Sequence, residues 1–76
     1  MTFLEELQAH TGGLLRLKTQ LYWYGGRGPD GSPGQVCLLL DAAARYGAHA
    51  AGAALLLIDG CPQWVWVGQE DVELIT

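Results

Sequence analysis

Ala54-Leu55-Leu56-Leu57-Ile58-Asp59-Gly60-Cys61-Pro62-Gln63-Trp64-Val65-Trp66-Val67 is the stretch that decides the fold. Residues 54–58 are an unbroken apolar run of strand length. Residues 64–67 are aromatic and β-branched, which suits a strand. Asp59-Gly60 lies between them, and Asp-Gly favours the primed turns whose twist matches paired strands. The stretch therefore predicts a tight β-hairpin, with Pro62 in its turn. On the second arm either Trp64 and Trp66 or Val65 and Val67 face the core, and parity leaves both open.

Working outward, Gly68-Gln69-Glu70-Asp71 is polar and long enough for one 3₁₀ turn. Val72-Glu73-Leu74-Ile75 follows as a short strand. Upstream, Gln35–Asp41 reads as a strand with Val36, Leu38 and Leu40 on one face and Cys37 and Leu39 on the other. Ala42–Ala53 reads as an alanine-rich connection punctuated by Gly47 and Gly52, with room for a helical turn at 42–46. Leu14–Tyr24 alternates, so Leu15, Leu17, Thr19, Leu21 and Trp23 are expected to face inward. Near Thr19 the strand is expected to yield to a long excursion, because residues 25–34 are almost all Gly, Pro, Asp and Ser. At the start, Thr2 and Glu5 have the spacing of a helix capping box. Phe3, Leu4 and Leu7 share a face of the short helix that follows, and Thr11-Gly12-Gly13 ends it.

The expected fold class is mainly β: a five-stranded, partly open barrel with a short N-terminal α-helix. Residues 1–12 form the helix packed on the barrel, and residues 13–76 form the barrel. This layout of five short strands, a long early loop, a tight late hairpin and a one-turn link resembles the SH3-like small barrel. Gln20-Leu21-Tyr22-Trp23-Tyr24 is similar to the Leu-Tyr-x-Tyr spacing of peptide-binding SH3 domains. Leu15-Arg16, Tyr22-Trp23-Tyr24 and Glu70-Asp71-Val72-Glu73 resemble parts of the small SH3-like subunit of photosystem I. The layout also looks like that of short SH3-like proteins of bacteria and their phages. An OB-type barrel is the nearest competitor, but it calls for longer strands and a later helix.

The chain has 76 residues, enough for one domain; half of them are hydrophobic and 16% are charged. That composition excludes intrinsic disorder. No apolar run approaches the roughly 18 residues of a membrane span. The acidic start is unlike a secretory leader, so a cytoplasmic location is expected. The net charge is −4, and all of it belongs to residues 46–76, which hold Asp59, Glu70, Asp71 and Glu73 but no Lys or Arg. Nucleic-acid binders carry a basic stripe, so this balance argues against one. The single local exception is Arg16, Lys18, Tyr22, Tyr24 and Arg27, where aromatic faces and cations occur together. That cluster supports the alternative of a small nucleic-acid-associated barrel.

Catalytic candidates are few. Cys37 and Cys61 could act with His10 or His49, yet nothing marks either thiol as activated. The two cysteines are expected to be reduced thiols. No Cys-x-x-Cys pair occurs and no histidine stands near a cysteine in sequence, so neither a zinc site nor another cofactor is expected. Gly25-Gly26-Arg27-Gly28 is not followed by a helix and reads as a turn rather than a phosphate cradle.

The strongest functional signal is surplus hydrophobicity. A barrel has one interior, so its strands should alternate apolar and polar residues. Residues 54–58 contain no polar side chain, and Gln35–Asp41 is apolar on both faces in its middle. An uncovered apolar patch marks an interaction site. The expectation is a non-catalytic protein-interaction module that meets a second copy of itself, as a homodimer, or a larger assembly. The expected contact residues are Leu39, Leu55, Leu57, Trp64 and Trp66, with Tyr22 and Tyr24 beside the long loop.

Overall fold

The computed structural model describes residues 2–23, 29–44 and 52–75. Helix α1 (Phe3–Ala9) is followed by strands β1 (Leu14–Leu17), β2 (Leu21–Trp23), β3 (Pro29–Asp30), β4 (Val36–Ala43), β5 (Gly52–Ile58), β6 (Cys61–Val67) and β7 (Val72–Ile75). All of the strands lie in one sheet, in the order β3-β2-β6-β5-β4-β1-β7. Every pairing is antiparallel. The terminal strands β3 and β7 do not pair with each other, so the sheet is partly open rather than closed. The fold is mainly β with one short helix, and its five longer strands are β1 and β4–β7.

The decisive hairpin forms as its sequence requires. Asp59 has φ 51° and Gly60 φ 80°, so both central residues take the positive values of a type I′ turn. Pro62 is not part of the turn. It lies in β6 opposite Leu57, one step beyond the Ile58–Cys61 pair that closes the loop. At that position the backbone nitrogen points away from β5, where a missing N–H costs no ladder bond.

Helix α1 carries the capping box. Thr2 N–H donates to Glu5 Oε1 at 2.9 Å, and Glu5 N–H donates to Thr2 Oγ1 at 3.2 Å. The Thr2 backbone N–H, and after it the Thr2 hydroxyl, hold the Glu5 carboxyl below its ordinary pKa. A lowered carboxyl pKa contributes stability that is present above the unfolded value and lost as pH falls through the folded one. Protection of the amides at residues 3–6, measured against their intrinsic exchange rates, should therefore fall on acidification through that range. In Glu5→Gln this loss of protection with pH should vanish, and its survival would remove the assignment.

The interior is built by strand parity. Leu15 and Leu17 of β1, Leu56 and Ile58 of β5, and Val65 and Val67 of β6 are all essentially inaccessible. The valines of β6 thus face in and its tryptophans face out. Leu7 of α1 closes one end of this core, with Phe3 and Leu4 packed partly against it.

Several expectations are corrected. Thr19 is exposed, because the chain leaves β1 after Leu17. Its hydroxyl donates to Asp71 Oδ1 at 2.7 Å. The other Asp71 oxygen accepts from Gly68 N–H at 2.7 Å, which fixes the turn before β7. Ala42 and Ala43 extend β4 instead of opening a helical turn, paired with Ala54 and Ala53. The remainder of that proposed turn, from residue 45 on, lies outside the described residues. Strand β4 also contains a register shift between Leu39 and Asp41. One extra residue there lets Cys37, Leu39 and Ala42 all face inward.

Candidate functional site

The face of the sheet opposite the core is the candidate site. Directly opposed residues of an antiparallel pair share a face. One row therefore runs Ile75–Leu14–Leu38–Leu57–Pro62 across β7, β1, β4, β5 and β6. A second runs Asp41–Leu55–Trp64, and a third runs Ala43–Ala53–Trp66–Tyr22. Glu73–Arg16–Val36 borders the first row on the far side. The middle of this face is apolar and its charges stand at the margin.

Packing on this face is shallow. Leu38, Leu55, Leu57, Trp64 and Trp66 are half-buried, while Leu14 and Val36 are 45% and 46% exposed. Ala53 is buried without belonging to the core cluster; Ala43 and Trp66 flank it on the outer side. The side chains on this face thus cover one another only in part.

Of the expected contact residues, Leu55, Leu57, Trp64 and Trp66 meet on this face. Leu39 does not: it is fully buried in the core, because β4 turns Cys37 and Leu39 inward. The outward residue at that place is Leu38, opposite Leu57. Tyr22 is placed by its backbone, opposite Trp66. Tyr24 lies outside the described residues. Leu14, Val36, Leu38 and Pro62 were missed as face residues. Their signal was parity: Leu14 shares it with the charged Arg16, and Val36 and Leu38 with each other.

The basic and aromatic cluster is not brought together among the described residues. Arg16 is on the outer face, with its guanidinium 3.5 Å from Glu73 Oε2. Lys18 is exposed beyond the end of β1 and lines a groove with Glu6 and Glu73. Arg27 lies outside the described residues.

Cys37 is buried and Cys61 exposed, and neither is in a disulfide. The His10 ring nitrogen Nε2 lies 2.7 Å from the Leu14 carbonyl oxygen, tying the helix end to β1. His49 lies outside the described residues. Among the described residues, no three His, Cys, Asp or Glu side chains are grouped to hold a metal ion. Nor is any helix among them long and apolar enough to cross a membrane.

No known family model, curated protein or solved structure matches this chain.

Proposed function

We propose that the chain is a non-catalytic, SH3-like protein-interaction module that associates with a second copy of itself through the outer face of its sheet. The barrel reading is supported by the order β7-β1-β4-β5-β6 of the longer strands. It is supported too by the long early link that carries β2 and β3 and by the tight β5–β6 hairpin. A cytoplasmic location belongs to the same reading.

The observation that carries the function is the apolar row Ile75–Leu14–Leu38–Leu57–Pro62 on a face with no element of the described chain laid over it. A surface without central charge can meet its own copy with little like-charge repulsion, whereas the chain as a whole is −4. Sheets stack face to face at about 10 Å with interdigitating side chains. A two-fold arrangement closes the contact and leaves no further patch open.

Size sets the expected strength. Four interstrand gaps of about 4.8 Å give a width of about 19 Å, and the length of β4 (Val36–Ala43) is about 23 Å. The patch is thus smaller than the roughly 800 Å² per partner of a standard interface. A dissociation constant in the micromolar range or weaker is expected. Light scattering across concentration should show the mean mass rising from monomer toward dimer. Leu57→Lys, in the centre of the row, should keep the chain monomeric. A wild-type chain that stays strictly monomeric near 1 mM would overturn the reading.

The nucleic-acid alternative has less support, since Arg16 is engaged by Glu73 and Lys18 stands beside two carboxylates.

A further inference from the structure

Strand β7 is an end strand of the sheet, paired only with β1. Which of its backbone groups are free follows from the ladder. Lys18 N–H donates to the Asp71 carbonyl at 2.7 Å, which makes Lys18–Asp71 a hydrogen-bonded pair. Hydrogen-bonded pairs alternate along an antiparallel ladder. Arg16–Glu73 and Leu14–Ile75 are therefore bonded pairs, and the N–H and C=O groups of Val72 and Leu74 point away from β1. Among the described residues, none pairs with these four groups.

A groove of about 500 Å³ lies against this edge. Phe3, Val72 and Leu74 give it apolar walls, and Glu6, Glu73 and Lys18 supply its charges. Two of the sheet's other open edges carry a proline. Pro29 occupies β3, and Pro62 lies where β6 runs beyond its pairing with β2. Proline offers no donor and blocks strand addition. Strand β7 contains neither proline nor glycine.

We infer that the β7 edge is a strand-addition site for an extended peptide that alternates apolar and basic residues. Added antiparallel to β7, such a peptide hydrogen-bonds to Val72 and Leu74 and points alternate side chains to the two faces. Apolar residues opposite Val72 and Leu74 turn inward onto the wall that Phe3 shares. The residue opposite Glu73 turns outward beside that exposed carboxylate, which a basic side chain can share with Arg16 and an acidic one cannot approach without repulsion. Lys18 stands at the Val72 end, where an antiparallel peptide brings its terminal carboxylate.

A second copy suits this edge poorly. In the register that uses all four free groups, Val72 pairs with Leu74 of the copy, and the two Glu73 side chains face each other. Like charges directly opposite are destabilising. The edge lies in the plane of the sheet, so this inference does not rest on self-association through the outer face. Light scattering of Leu57→Lys reads that face separately.

The test adds about 1 mM acetyl-Val-Lys-Val-Lys-Val, with a free carboxylate, to the full ¹⁵N-labelled chain. The Val72 and Leu74 amides should shift and exchange more slowly. The analogue with Glu in place of Lys should bind at least about tenfold more weakly, and Glu73→Lys should invert that preference. Leu74→Pro removes an outward N–H that makes no internal bond, and should abolish the response at Val72. No response at either amide, or equal binding of the two peptides, would overturn the inference. So would amide protection that grows with protein concentration in the absence of peptide, which would assign the edge to a second copy.

Discussion

Leu56→Ala is expected to lower the unfolding free energy by about 3–4 kcal/mol. Leu56 is fully buried in β5, the middle strand of the sheet, between Leu39 on one side and Gln63 on the other. Truncation removes apolar contacts and leaves a cavity, and a residue locked between two paired strands has little room to relax. A domain of this length is worth about 4–11 kcal/mol in all. The melting temperature should therefore fall by about 15–25 °C. The adjacent Leu57 is half-buried on the outer face, and Leu57→Ala should cost less than about 1.5 kcal/mol. Denaturant unfolding of the two variants measures the contrast. Equal losses would show that the inward and outward faces of β5 are misassigned.

Gly31→Ala is expected to cost about 2–5 kcal/mol, the sum of two penalties. The first is conformational: φ is +76° at Gly31, where an L-residue costs about 1–2 kcal/mol. The second is steric. A Cβ built there would lie 2.6 Å from Leu17 Cδ1, and Leu17 is fully buried, so the methyl must displace a core side chain. Overpacking of this kind costs about 1–3 kcal/mol. Gly34 separates the two terms. Its φ is +90°, yet a Cβ there would meet nothing within 4 Å. Gly34→Ala should then lose only the conformational part. If both variants unfold at the same denaturant concentration, the close approach of Gly31 to the core is wrong.

Short-range features of this chain are legible in its sequence. Asp59-Gly60 named the turn, because both central residues need positive φ and this pair tolerates it. Thr2 and Glu5 named the helix start through hydrogen bonds that span only three residues. Parity in β1 placed Leu15 and Leu17 correctly. Long-range features were not legible. The register shift at Leu39–Asp41 is set by the fit of β4 to β5, and it turns Ala42 rather than Asp41 inward. Leu39 is expected at the surface because Gln35–Asp41 is apolar on both faces, so parity alone does not orient the strand. Thr19 continued the alternation of β1 in sequence, but its hydroxyl is satisfied by Asp71, 52 residues away. Ala42 and Ala43 have helical propensity, which pairing with Ala54 and Ala53 overrides. For the candidate site, the surplus of apolar side chains could be read from the sequence. The rows that join Leu14, Leu38 and Leu57 could not, because they exist only once three strands are in register.

Self-association through the outer face is tested most directly by mapping amide and methyl shifts of the full chain from about 10 μM to about 1 mM. Shifts that grow with concentration should cluster on Leu14, Leu38, Leu55, Leu57, Trp64 and Trp66. They should be absent in Leu57→Lys over the same range. A wild-type map that does not change with concentration would contradict association through this face, as would shifts confined to α1 or the β5–β6 turn.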